Sequence, residues 1–286
     1  MLAEEEAQSE VKETISDRVV ALLNAAQTTL DSTVKVTSLR QVQELVIHQD
    51  PYLLDNFLDE ILAFMNDASV DVRKFVLGFI DEACNKDVEI LSKALPNVSY
   101  MFSSDQNVNV RKKIIATCSH LYPKALKFQW VAKHKSTAPA IQQAWDDFTL
   151  LKAKMVPLVD SDNDGHCSLR LMDVFGVRTH AIKLLESVIL CQSVRSSQSE
   201  VPKTGGMSLD QVGRDHRFLS YRQLEHEGKN LAQRLLSMMS SPHISSVNPM
   251  TCMGALVNLA RQSPEYFEKV FLGLETLLVY LPPTLA

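Results

Sequence analysis

Three segments of this 286-residue chain repeat the same amphipathic pattern. They are VRKFVLGFIDEAC from Val72, VRKKIIATCSHLY from Val110 and VRTHAIKLLESVI from Val177. In each copy, apolar or small side chains recur four, five, seven and eight positions after the valine. This spacing places them on one face of an α-helix. The sequence therefore predicts three similar helices, each with one buried face.

Each of these helices follows another helical segment and a short turn that contains Asp or Asn. A helix, a turn and a second helix that opens with Val-Arg is the layout of a HEAT repeat, whose units of about 40 residues stack side by side. Val72 and Val110 lie 38 positions apart, which fits this length. We therefore predict an all-α fold, a curved α-solenoid of HEAT-like antiparallel helix pairs.

Local signals predict where several helices begin or end. Asp71 and Asn109 directly precede the first two Val-Arg pairs, where a side-chain oxygen can cap backbone N–H groups. Pro96 is expected to kink or break its helix, because proline lacks the amide hydrogen that a helix interior requires. The remaining predicted helices are 14–28, 34–48, 218–240, 246–262 and 265–281.

Residues 14–286 are predicted to form one HEAT-repeat domain. The helix at 265–281 begins a repeat whose second helix is missing, so we expect a stack that is truncated at its C-terminal end. Residues 1–13 carry five glutamates and one lysine and are predicted to be a disordered acidic N-terminus. A long polar loop is predicted at residues 193–217.

The net charge of −5 leaves no global basic surface for nucleic acid. Residues 106–145 nevertheless contain no Asp or Glu and seven basic side chains: Arg111, Lys112, Lys113, Lys124, Lys127, Lys133 and Lys135. This basic stretch is either a solvated surface or a contact for an acidic partner. An RNA-binding HEAT module that uses residues 106–145 is the alternative function, and it predicts an affinity that falls steeply with salt.

Motifs for enzyme chemistry are missing from the sequence. There is no phosphate-binding glycine loop, no nucleophile elbow and no HExxH pair. The five cysteines are an odd number and are widely spaced, which argues against a disulfide framework. His166 and Cys167 lie close to three aspartates, but no second Cys or His is nearby, which argues against a metal site. We expect no enzyme, no cofactor, no metal and no membrane span, and a reducing intracellular compartment.

One loop has part of a calcium-binding pattern. Asp160, Asp162 and Asp164 supply oxygens at the first, third and fifth positions, and Gly165 follows at the sixth. The twelfth position, which requires a bidentate Glu, is Leu171. We therefore interpret these aspartates as a turn between two helices, where their side chains bond to nearby backbone groups.

Several longer strings resemble one known family. QVQELVIHQDPYLLDNFLDEILAF, VRKFVLGFIDEAC, DQNVNVRKKI, DSDNDG, VRTHAIKLLE and LPPTLA are similar to the N-terminal domain of the symplekin/Pta-type scaffold family, from about Ser16 to the last residue. The resemblance implies a nuclear scaffold in pre-mRNA 3′-end cleavage and polyadenylation and in histone pre-mRNA processing. The partners that it implies are cleavage and polyadenylation subunits, whereas direct RNA contact is not expected.

The resemblance also implies a binding surface. In this family the concave face of the HEAT stack binds, and is expected to regulate, the phosphatase of the RNA polymerase II C-terminal domain. Lys183 matches the lysine that contacts the phosphatase, and Lys183 and Glu186 project away from the apolar stripe of their helix. Asn109, Lys112 and Lys113 on the neighbouring second helix are further partner-binding candidates.

The sequence departs from the family at residues 166–176, HCSLRLMDVFG. In symplekins, DSDNDG leads almost directly into the helix that carries Lys183. Removing the eleven residues would place Gly165 directly before Val177, as in the first two turns. Eleven residues are about three helical turns, so a helical insert would lengthen the second helix without rotating the face of Lys183. The insert is either a splice variant or a gene-model error.

Deleting residues 166–176 is expected to raise the affinity for the phosphatase, because the insert lies at the rim from which a partner approaches Lys183. Calorimetric titration of the phosphatase into both forms measures the effect. Equal affinities would show that the insert does not restrict access.

Overall fold

The computed structural model describes residues 14–131, 138–160, 171–202, 206–214, 216, 219–239 and 247–279. Within these ranges the chain forms α-helices, short 3₁₀-helices and one π-helix, and no β-strand. The all-α class is therefore confirmed for this part of the chain. The α-helices are α1 (Ile15–Thr28), α2 (Ser32–Gln43), α3 (Leu54–Ala63), α4 (Val70–Lys86), α5 (Leu91–Ser104), α6 (Val108–Val131), α7 (Ala138–Met155), α8 (Leu171–Cys191), α9 (Tyr221–Met239), α10 (Val247–Gln262) and α11 (Phe267–Val279).

The chain divides into two compact units, one that ends at Phe79 and one that begins at Ile80, so the division falls within α4. In the first unit α1 packs against α2, and a π-helix (Glu44–Gln49) continues α2. An ion pair joins Lys35 of α2 to Asp67, in the turn before α4. The core of this unit includes Val19, Leu23, Leu39, Val46, Leu58, Ile61, Val72 and Val76.

In the second unit, most consecutive helices pack against each other, and most helices two apart pack side by side. The first helices of the pairs form one set, in which α5 contacts α7 and α9 contacts α11. The second helices form the other set, in which α8 contacts both α6 and α10. Where the connection is short, as between α5 and α6 and between α10 and α11, consecutive helices are antiparallel neighbours. This is the predicted solenoid arrangement of helix pairs, and its curvature stays a prediction.

The repeated Val-Arg pattern has a structural cause. The three valines and their apolar stripes are buried, as the spacing predicts. The first two arginines, Arg73 and Arg111, pack onto the segment that precedes their helix. Arg73 donates from Nη1 to the carbonyls of Asp67 and Ala68, at 2.8 and 2.9 Å. Arg111 lies 5.0 Å from the centre of the Phe102 ring in α5. Arg73 and Arg111 thus each tie a second helix to its own first helix or turn.

The predicted N-caps were wrong by two residues or less. α4 begins one residue before Asp71, and α6 begins one residue before Asn109, so both side chains lie in the first turn. The cap of α6 is Asn107, whose Oδ1 accepts a hydrogen bond from the backbone N–H of Asn109 at 2.9 Å. The helices start before the Val-Arg pairs because the polar residue that precedes the first turn, not the one inside it, reaches the orphan N–H groups.

Most of the other predicted helix ends agree with the structure. α1, α9, α10 and α11 lie within three residues of the predictions, and segment 34–48 is divided between α2 and the π-helix. Pro96 does not break α5, which continues to Ser104. Proline removes the one backbone hydrogen bond that its nitrogen would donate, and the buried apolar face of α5 compensates for that loss.

A buried polar network joins α6, α7, α8 and α9 in the second unit. The Lys152 side chain of α7 is 4% exposed, and its Nζ lies 2.6 Å from Oε1 and 2.7 Å from Oε2 of Glu227 in α9. Gln192, which follows α8, donates from Nε2 to Oε2 of Glu227 at 2.6 Å and to the hydroxyl of Tyr122 at 2.8 Å. Gly228 permits this approach, because an added Cβ would lie 3.0 Å from the carbonyl oxygen of Gln192.

Burial dominates the electrostatics of this network. It lowers the pKa of Lys152 below the usual 10.5, although the charge of Glu227 and its hydrogen bond act in the opposite direction. Burial also raises the pKa of Tyr122 well above its usual value.

Tyr122 itself packs against Trp145 and Phe148, with ring centres 5.8 and 5.7 Å away. Trp145 is buried in this cluster and acts as a packing residue.

Glu227→Gln is expected to lower the free energy of unfolding at pH 7 by about 2 kcal/mol, because it leaves a buried ammonium without a counter-charge. The value is below that of a fully enclosed pair because the Glu227 side chain is 36% exposed. Without Glu227, the pKa of Lys152 falls further below its unfolded value. The unfolded chain then binds more protons, so the stability of the variant recovers as the pH rises toward 10.

Chemical denaturation at pH 7 and pH 9.5 measures both effects. The matched control is Glu225→Gln, because Glu225 lies on the same helix, is 37% exposed and pairs with the exposed Lys229. It should change stability by less than about 0.5 kcal/mol. Equal, pH-independent losses in the two variants would contradict the role assigned to Glu227.

Candidate functional site

Lys183 lies on α8, between α6 and α10. Its side chain is 50% exposed, and Nζ donates to Oε2 of Glu186, one turn later, at 2.8 Å. The Glu186 side chain is only 11% exposed, because α10 covers it, although the sequence predicted that it projects away from the buried stripe. Its Oε1 accepts a hydrogen bond from Nδ2 of Asn258 in α10 at 2.7 Å. The ammonium is therefore anchored to two helices.

Further contacts fix α8 against α6. The hydroxyl of Ser187 donates to the carbonyl oxygen of Ser119 at 2.7 Å. Nearer the start of α8, the Lys112 side chain lies over Gly176, where an added Cβ would come within 2.3 Å of Cε of Lys112. Gly176 is seven residues before Lys183, or roughly 10 Å along the helix axis. The side chain of Lys112, which comes from α6, thus meets α8 at Gly176, about two turns before Lys183.

The other candidates lie along α6. Asn109 is exposed in the first turn, and Lys113 is half-buried in the second. Among the described residues, no hydrogen bond joins either of them to Lys183. The partner-binding role of Lys183, Asn109, Lys112 and Lys113 stays a prediction. Residues 171–176 of the insert continue α8 at its N-terminal end, and residues 166–170 lie outside the described ranges.

The sequence missed one member of this cluster. Asn258 is 72 positions from Glu186, and no local pattern links the two residues. The three-residue spacing of Lys183 and Glu186 was visible, because side chains at this separation lie next to each other on a helix. Only the packing of α10 on α8 brings in the third residue.

The basic stretch is partly neutralised by α4. Lys124 donates to Oδ1 and to the carbonyl oxygen of Asp81, at 2.7 and 2.9 Å, and Nδ1 of His120 lies 2.8 Å from Oδ2. Burial alone would raise the pKa of Asp81, but the hydrogen bonds from Lys124 and His120 lower it below its usual value. Lys133 and Lys135 lie outside the described residues.

The described residues offer little for reaction chemistry. Burial raises the pKa of four cysteine thiols to about 12, so they are protonated at neutral pH: Cys84, Cys118, Cys191 and Cys252. No cluster of three or more His, Cys, Asp or Glu side chains suited to a metal occurs in the part of the chain described above.

Asp160 is paired with Arg234 of α9. The rest of the calcium-like loop, Asp162, Asp164 and Gly165, falls outside the described ranges.

None of the described helices is both long enough and apolar enough to cross a membrane.

The side-by-side packing of helix pairs is typical of an all-α repeat protein. The charged cluster of Lys183 and Glu186 lies on one set of these helices. The comparison with family models then gives the family. The Symplekin/PTA1 N-terminal model matches residues 107–286, which is more than half of the sequence, and the chain belongs to this family.

One curated relative is the mRNA cleavage and polyadenylation specificity factor complex subunit pta1 of Schizosaccharomyces pombe. It is 21% identical to this chain over 242 residues. The alignment covers 82% of this chain and 33% of the yeast protein, so the chain spans about a third of the length of that relative.

Asn107→Ala is expected to lower the free energy of unfolding by about 1 kcal/mol, because it removes the side-chain cap of α6. Asn109→Ala, two residues later and exposed, should change it by less than about 0.5 kcal/mol. Urea denaturation of both variants measures the difference. A larger loss for Asn109→Ala would place the cap at the position that the sequence predicted.

Proposed function

We propose that this chain is a HEAT-repeat scaffold module of the nuclear machinery that cleaves and polyadenylates pre-mRNA 3′ ends, and that it also serves histone pre-mRNA processing. Its membership of the Symplekin/PTA1 N-terminal family supports the proposal, as does the name of the yeast relative, a subunit of a cleavage and polyadenylation complex. The module acts by holding partner proteins, including other subunits of that machinery.

One partner in the proposal is the phosphatase that acts on the C-terminal domain of RNA polymerase II. The module binds it through α8 and its neighbours, with Lys183 as the main contact and with Asn109, Lys112 and Lys113 as lesser ones. The observation that carries this assignment is the half-exposed side chain of Lys183, whose ammonium is linked to α10 through Glu186. Binding at this surface also regulates the phosphatase.

Charge balance favours a protein partner over RNA. Non-specific RNA affinity depends on basic side chains that exchange counterions for phosphates. Here Lys124 is paired with Asp81, and Lys183 is paired with Glu186. These pairs reduce the positive field of the described second helices. Specific hydrogen bonds to a folded partner therefore suit this surface better than a phosphate backbone does.

Lys183→Ala is expected to weaken phosphatase binding by about 2 kcal/mol, which is roughly 30-fold in Kd, as for an interface anchor. Helicity and Tm should stay close to those of the unmodified protein, because the side chain is half exposed. Calorimetric titration and circular dichroism measure the two quantities. Lys229→Ala is the matched control, since Lys229 is 51% exposed and also pairs with a glutamate on its own helix. An unchanged affinity would remove Lys183 from the binding site.

A further inference from the structure

We infer that Asn258 and Glu186 are positioning residues for Lys183, so that the partner-binding site extends from α8 to α10. This inference rests on the proposed function of Lys183. Asn258 donates to one oxygen of Glu186 at 2.7 Å, and Lys183 donates to the other at 2.8 Å. One carboxylate thus receives a neutral donor from α10 and a charged donor from α8. The ammonium is held through this relay rather than by a single flexible pair.

The carboxylate in the middle is the fixed point of the relay. The Glu186 side chain is 11% exposed and has both oxygens bonded, whereas that of Lys183 is 50% exposed. A bonded and covered carboxylate has few rotamers available. A lysine side chain loses about 2 kcal/mol of rotamer entropy when it is immobilised. Holding it before the partner arrives removes part of that penalty from the binding step.

The pair of Lys229 and Glu225 on α9 provides an internal comparison. Lys229 is 51% exposed, and its Nζ lies 2.7 Å from Glu225, which closely resembles the pair at Lys183. Glu225, however, is 37% exposed, and no hydrogen bond among the described residues gives it a third member like Asn258. The two lysines therefore differ in the support of the carboxylate, and Lys229 also lies near Glu265 and Tyr266. This difference makes Lys229 a control within the same molecule.

Asn258→Ala tests the inference without changing any charge. The first measurement is the rate at which acetic anhydride modifies each lysine, read by mass spectrometry on the whole chain. Release of Glu186 should raise the rate at Lys183 about threefold and leave the rate at Lys229 unchanged. Asn258→Gln, which keeps an amide donor, should restore most of the protection. An unchanged rate at Lys183 overturns the inference.

The second measurement is the phosphatase affinity in a double-mutant cycle. Asn258→Ala should weaken binding about fivefold when Lys183 is present and should have no effect in the Lys183→Ala background. Equal losses in both backgrounds, with a lowered Tm, would identify Asn258 as a packing residue and overturn the inference. Faster acetylation with an affinity that neither Asn258→Ala nor Lys183→Ala changes would support the positioning of Lys183 and overturn its phosphatase contact.

Discussion

A lysine buried among helices requires a counter-charge, and the packing of α6 to α9 depends on how Lys152 obtains one. Its ammonium meets Glu227 of α9, and the same carboxylate receives Gln192 from the end of α8. Apolar faces alone tolerate sliding, because hydrophobic contact is not directional. Hydrogen bonds require particular distances between their atoms and therefore resist such sliding. We infer that the network of Lys152, Glu227 and Gln192 selects one alignment of the four helices. Replacing it with apolar side chains would test stability and alignment separately.

The network at the end of α8 also affects the position of Lys183 on the opposite, exposed face of the helix. Gln192 lies nine residues, or two and a half turns, after Lys183, so fixing the end of the helix also fixes the height of the lysine. The bonds of Ser187 to α6 and of Glu186 to α10 then fix its rotation. A core constraint and two part-buried hydrogen bonds thus determine where one ammonium is presented.

Periodicity predicted the helices and their buried faces, because the apolar side chains of α4, α6 and α8 recur every three or four residues along the sequence. Helix starts were less predictable. Asn107 and Asn109 have the same side chain, and only the structure shows that Asn107 precedes the first turn and caps α6. The resemblance directed attention to Lys183, and the helical pattern predicted that Lys183 and Glu186 share the face opposite the apolar stripe. Asn258 and the pair of Lys152 and Glu227 were not predictable, because each contact joins segments more than 70 residues apart.

The backward-packing arginines of the Val-Arg motif have a consequence for the order of folding. The bonds of Arg73 span five and six residues, whereas the pair of Lys152 and Glu227 spans 75. Short loops close with little loss of chain entropy, so contacts of the first kind form early. Each helix pair can therefore assemble from its own sequence before its neighbour is complete. We expect the ion pair of Lys152 and Glu227 to form later, since its loop is longer, and it is present only when the helix pairs are correctly stacked.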